Sequence, residues 1–144
     1  MKEAQRSAEI PLPADEVFAF LSNLENLPRW QSGVLRAELT SSGPLGVGSR
    51  AVVERRMFGQ QIVADLVVTG YEPPRRIVLE TEASGVSVQA SVEIEPLEPK
   101  LSRVTFGMAM ETSGFFMKAV EPMVAQAAEA DIEASLTRLR EVLA

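Results

Sequence analysis

The chain has 144 residues, enough for one hydrophobic core and too few for two, with 20 acidic residues against 14 basic ones and a net charge of −6. It contains neither cysteine nor histidine, which excludes disulfide staples, thiol nucleophiles, Ser-His-Asp catalysis and zinc or haem sites built on imidazole. No Asp-rich run of the calcium-loop type stands in for them. The basic residues are scattered apart from the doublets Arg55–Arg56 and Arg75–Arg76, so a nucleic-acid surface is not expected. No apolar run approaches the roughly 18 residues of a membrane span. Met1–Ile10 lacks the apolar centre of a signal peptide, so the expected location is the cytoplasm.

Residues 3–10 read as a first strand, closed by Pro11 and Pro13. Pro13 followed by Asp15 and Glu16 marks a helix start, because proline tolerates the first turn and acidic side chains favour the positive end of the helix. Val17, Phe20, Leu21 and Leu24 then share a face. Asn26-Leu27-Pro28 breaks this helix, and a short turn carries Arg29 and Trp30. Residues 34–40 form a second strand, and SSGPLGVGS reads as a loop.

Residues 49–58 and 60–71 pattern as a hairpin about Phe58-Gly59-Gln60. A turn at Phe58-Gly59 pairs Arg55 with Ile62 and Val53 with Ala64; a turn at Gly59-Gln60 pairs Arg55 with Ala64 instead. Both registers keep Ala51, Val53, Arg55, Met57, Ile62, Ala64, Leu66 and Val68 on the apolar, inward face. Glu72-Pro73-Pro74 is a turn. Residues 75–82 place Ile77, Leu79 and Thr81 inward. Residues 86–95 alternate with Val86, Val88, Ala90, Val92 and Ile94 on one side. After PLEPK, a last strand carries Val104, Phe106, Met108 and Met110 on one face. From about residue 115 the spacing of Val124, Ala128, Ile132, Leu136, Leu139 and Leu143 is helical, with Pro122 kinking or separating the first turn.

The order is one strand, two short helices, six strands and a long helix: an α+β domain over residues 1–144 in which a curved antiparallel sheet of about seven strands grips the terminal helix. This order, with IPLPADEVFAFLSNLENLPRW, GVGSR, VTGYEPPRRIVLET and the closing EASLTRLREVL, resembles the helix-grip fold of the START, Bet v 1 and polyketide-cyclase superfamily. The resemblance implies a ligand cavity between sheet and helix, and a tryptophan at position 30 near its mouth. It specifies the fold and leaves the activity open, since the superfamily spans carriers, hormone binders, cyclases and chaperone cofactors.

Trp30 is the only tryptophan, and it also reads as a staple of the short helix on the sheet. Arg55 is the only charge on the inward face of the hairpin. It is shaped to hold a carboxylate or enolate, unless the hairpin end simply turns it into water. Tyr71, the only tyrosine, is the one phenol available for proton transfer, though its place beside two prolines suits a packing role. Met57, Met108, Met110, Phe115, Phe116, Met117 and Met123 form a soft group suited to a flat or flexible apolar ligand, or to an ordinary core. Glu111 and Asp131 are carboxylates without an assignable partner. The expected ligand-contacting set is Trp30, Val53, Arg55, Met57, Leu66, Leu79, Met108, Met110, Phe115, Phe116, Met123 and Ala127.

The leading expectation is a non-catalytic binder of a small apolar or aromatic molecule, with no cofactor or metal, acting as a monomer or homodimer. The alternatives are a cyclase-like enzyme, in which Arg55 stabilises an enolate and Tyr71 moves a proton, and a partner-binding module that uses the outer sheet face.

Overall fold

The structure, a computed structural model, describes residues 2–57, 59–83, 86–112, 119 and 121–143. Seven strands form one antiparallel sheet: β1 (Lys2–Ile10), β2 (Val34–Leu39), β3 (Arg50–Met57), β4 (Gln60–Glu72), β5 (Arg76–Ala83), β6 (Val86–Glu98) and β7 (Leu101–Thr112). Their spatial order is β1-β7-β6-β5-β4-β3-β2. Consecutive strands from β2 to β7 are therefore neighbours, and β1 closes against β7 at the far edge. The chain crosses from one edge of the sheet to the other through α1 (Ala14–Ser22), a 3₁₀ turn (Leu24–Asn26) and α2 (Leu27–Trp30). The long helix α3 (Glu121–Leu143) then lies along the inner face, packed on β1, β7 and α2. Two short helices after the first strand, seven strands and one long terminal helix are what the sequence pattern predicts.

Of the two hairpin registers, the structure has the one with Arg55 opposite Ile62 and Val53 opposite Ala64. Burial alternates as the pattern requires: Ala51, Val53, Ala64, Leu66 and Val68 are buried, while Arg56, Val63, Asp65 and Thr69 are exposed. Pro122 is the second residue of α3, where its missing N–H costs little. The strand before the PLEPK segment runs further than the pattern shows, because β6 continues to Glu98 past an irregularity at Pro96.

Two irregularities aim side chains. In β4 the register shifts between Val68 and Gly70, which turns Tyr71 to pair with Ile77 on the inner face. Gly70 is required there, since a Cβ would lie 2.9 Å from Val78 Cγ2. In β2 a shift between Val34 and Arg36 leaves Leu35 outside the ladder and exposed, while Val34 sits opposite Arg55. Gly33, at φ 87°, makes the turn into β2, and its carbonyl accepts the Arg56 N–H at 2.8 Å.

α3 runs with its C-terminal half over the α1 end of the sheet, where Ile132 and Leu139 are fully buried and Leu136 nearly so. Its outer edge is tied to β1 by Arg6, which reaches Glu133 at 3.5 Å and Glu129 at 3.9 Å. These pairs are exposed and contribute little individually.

Candidate functional site

The inner face of the sheet has two unlike ends. At the α1 end, Ile10, Val68, Ile77, Val104 and Phe106 are 0–1% exposed. At the end bearing the β3–β4 hairpin, a connected row of inward side chains keeps some surface. Val53, Ala64, Leu66, Leu79, Val88, Ala90, Met108 and Met110 each retain between 4% and 9% exposure. The ladder joins them: Val53 faces Ala64, Leu79 faces Ala90, Ala90 faces Met108, and Val88 faces Met110. Above the sealed end, α3 presents the bulky Ile132, Leu136 and Leu139. The preceding turns present the small Ala125 and Ala128. Sheet and helix therefore fit tightly at one end and incompletely at the other.

Polar groups enter at this second end. Arg55 projects from β3 on the inner face, and its Nε is buried without a hydrogen-bond partner among the described residues. Burial lowers its basicity, and the carboxylate of Asp131 on α3 acts in the opposite direction. Reciprocally, burial pushes the Asp131 carboxyl up, and Arg55 restrains that rise. The two act on one another across the site, and no carboxylate among the described residues is within salt-bridge contact of Arg55.

The framework around the pair is tied together. One turn beyond Asp131, Ser135 Oγ is buried and accepts the Ser32 N–H at 2.8 Å. Arg138 donates to the Pro28 carbonyl at 2.9 Å. These bonds fix the α2–β2 junction on α3 and set Val34 beside Arg55. Trp30 is 2% exposed, with its ring edge-on to Phe106 at 5.2 Å, so it staples α2 to the sheet. Its Nε1 is the other buried side-chain donor without a partner among the described residues.

Of the expected contact set, Trp30, Val53, Leu66, Leu79, Met108 and Met110 face the interior, with Arg55 half-buried among them. Met123, expected at the entrance to the helix, is 65% exposed, and Ala127 is also exposed. Helical phase explains it: the buried positions of α3 follow Ala128, Ile132, Ser135 and Leu139, and Met123 and Ala127 lie off that stripe. Phe115, Phe116 and Met117 lie outside the described residues, as do the side chains of Met57 and Val124. Glu111 is exposed on the outer face, opposite Ser87.

Tyr71 does not join Arg55. It packs on Phe18 of α1 at 5.7 Å, at the sealed end. Ile62, opposite Arg55, is nine residues from Tyr71 along β4, roughly 30 Å of strand. No single reacting group spans that interval, so the proposed enolate-and-phenol pairing is not formed. Asp131 was recognised in the sequence without a partner; its place on the buried side of the helix, one turn from Ala128 and from Ser135, was the available signal.

Among the described residues no cluster of acidic side chains is arranged to hold a metal ion, and no helix is long and apolar enough to cross a membrane. One groove on the sheet mixes the carboxylates Asp65, Glu80, Glu82 and Glu111 with the apolar Val67, Val88 and Ala109.

A model of the family described as polyketide cyclase / dehydrase and lipid transport matches residues 1–144. No curated protein matches the chain. Among solved structures, a START superfamily protein from Mycobacterium smegmatis superposes with a TM-score of 0.82 at 17% identity, covering 98% of this chain and 96% of its own. The Zhui aromatase/cyclase from Streptomyces sp. R1128 gives a TM-score of 0.75 at 13% identity, with 96% and 93% covered. The di-domain ARO/CYC BexL of the BE-7585A biosynthetic pathway gives 0.70 at 18% identity, over 93% of this chain and 45% of that one. Likeness at these identities establishes the START-like fold.

Proposed function

Because the chain belongs to the polyketide cyclase / dehydrase and lipid transport family, we propose that it holds a small apolar or aromatic molecule between the hairpin end of its sheet and the first half of α3. The observation that carries this reading is the connected row of inward apolar side chains that keep 4–9% exposure at the hairpin end, beside a half-buried arginine whose Nε has no hydrogen-bond partner among the described residues. The apolar row supplies the driving force, at about 25 cal/mol for each Å² of ligand and wall removed from water, less the cost of ordering. Arg55 fixes orientation by meeting an acceptor oxygen of the ligand. The same reading takes the protein to work in the cytoplasm without a cofactor, as a monomer or homodimer; the cysteine-free composition supports the compartment.

Catalysis by Arg55 together with Tyr71 loses its support, since the two sit at opposite ends of the sheet.

Trp30 reports on the interior from its place against Phe106. Titration with aromatic polyketides, fatty acids and sterols is expected to give a saturable change in its emission with one of these classes, weakened by Arg55→Ala. No change with any of them, together with failure to bind an apolar dye such as anilinonaphthalene sulfonate, would refute the reading.

A further inference from the structure

The two edges of the sheet are unlike. β1 is covered: α3 packs on it, and Arg6 ties it to Glu129 and Glu133. β2 ends the sheet at the other edge, with β3 on one side and, among the described residues, no strand beyond it. The 3₁₀ turn and α2 lie against it, yet Leu35 and Leu39 stay 42% and 39% exposed, and Arg36 and Glu38 are exposed as well. A strand edge of this kind offers backbone donors and acceptors to another chain.

The ladder shows which groups face outward. The Thr40 N–H donates to the Arg50 carbonyl at 3.0 Å, so Thr40 points its backbone at β3. Antiparallel pairs alternate between bonded and non-bonded, which turns the backbone of Glu38 and Arg36 toward β3 and that of Leu39 and Ala37 toward the open edge. The Leu39 N–H agrees, since it donates to the exposed Glu25 carboxylate at 3.4 Å. That bond is long and is readily exchanged for one to another strand.

About Ala37 the strand is complementary to itself. The run Leu35-Arg36-Ala37-Glu38-Leu39, laid antiparallel on a second copy, sets Arg36 opposite Glu38 and Leu35 opposite Leu39. Ala37 meets its own counterpart on the two-fold axis, and the two outward N–H and C=O groups bond each other. Centring the pair on Arg36 or on Glu38 sets like charges opposite one another, so the register is specific. The chain carries a net charge of −6, but this strand has one arginine and one glutamate, so two acidic molecules can approach here without local repulsion. Arg36 is free to serve, because its contact with Glu54 is 3.8 Å and its side chain is 74% exposed.

We propose that β2 is the edge through which two copies of this chain pair, joining their seven-stranded sheets into one. Six residues a side is far below the roughly 20–30 a side of a standard interface, so the dimer is weak and dissociates on dilution through the micromolar range.

The experiment is sedimentation equilibrium of the whole chain from low micromolar to millimolar concentration. The unchanged protein is expected to dimerise reversibly. Arg36→Glu and Glu38→Arg are each expected to weaken the dimer by about tenfold, since each change acts twice across the axis. Arg36→Glu with Glu38→Arg restores opposite charges in the same register and is expected to recover the dimer to within about threefold. Ala37→Pro removes the outward donor without touching the bonds to β3 and is expected to leave a folded monomer, checked by circular dichroism. The charge series decides the matter even where that proline disturbs the fold. A chain that stays monomeric throughout would overturn the proposal and leave the edge to a foreign strand. A dimer indifferent to the single charge reversals would place the interface elsewhere and overturn it equally.

Discussion

Replacing Arg55 and Asp131 together by apolar residues of similar bulk, Arg55→Met with Asp131→Leu, is expected to stabilise the fold while weakening binding. Arg55 sits beside Val34 with its Nε buried and unpartnered. A donor left in that state costs about 1–3 kcal/mol. Asp131 carries its own desolvation penalty, and the two are not in contact, so their attraction does not offset both. Exchanging such a pair for apolar side chains is commonly neutral or stabilising by about 1–4 kcal/mol. The low end applies here, since both residues are only half-buried. A gain of about 1–2 kcal/mol corresponds to a Tm rise of about 3–7 °C in a domain of this length. Arg55→Met alone should gain less, because it leaves the Asp131 carboxylate without its opposing charge. The assay is thermal unfolding followed by Trp30 emission and by backbone circular dichroism, beside the ligand titration. A double variant melting about 3 °C or more below the unchanged protein would refute the reasoning, since the pair would then contribute net stability and the site would not be one held at a cost to the fold.

Three further outcomes follow from the same fold. Burial raises the Asp131 pKa in the fold above its ordinary value of 3.8, so the native state holds that proton more tightly than the unfolded chain. Its contribution is fully favourable below that value and is lost as pH rises through the higher folded pKa; the Tm advantage of Asp131→Asn should therefore grow with pH across the mildly acidic range and then level off. Gly70→Ala should cost about 1–3 kcal/mol by driving a Cβ to 2.9 Å from Val78 Cγ2, whereas Gly46→Ala, with nothing within 4 Å, should be near neutral in urea unfolding. Ser135→Ala strips the buried acceptor from the Ser32 N–H and should cost about 1–2 kcal/mol, with a shift in Trp30 emission from a loosened α2 that Thr137→Ala does not give.

The sequence carried the fold because every inner strand is wetted on one face only. Alternation from Ala51 to Val68 and from Val86 to Ile94 reports which side meets the core, and the 3.6-residue spacing from Ala128 to Leu139 reports what covers it. It carried less of the site, for reasons that differ by residue. Arg55 was visible because it broke an apolar face. Asp131 breaks one too, but a helical carboxylate beside Glu129 and Glu133 looks solvated until the phase is fixed by Ser135 meeting Ser32, a contact 103 residues apart in sequence. Tyr71 looked close to Arg55 in function because both are singular residues on one hairpin. Only the β4 register shift, together with strand length, shows that it faces Phe18 at the other end. Met108 and Met123 are alike in composition, yet one lies on the inner face of β7 and the other on the solvent side of α3. Composition can supply a soft apolar lining; phase and register decide which of its members turn inward, and here they gather Val53, Ala64, Leu66, Met108 and Met110 at the hairpin end beside Arg55.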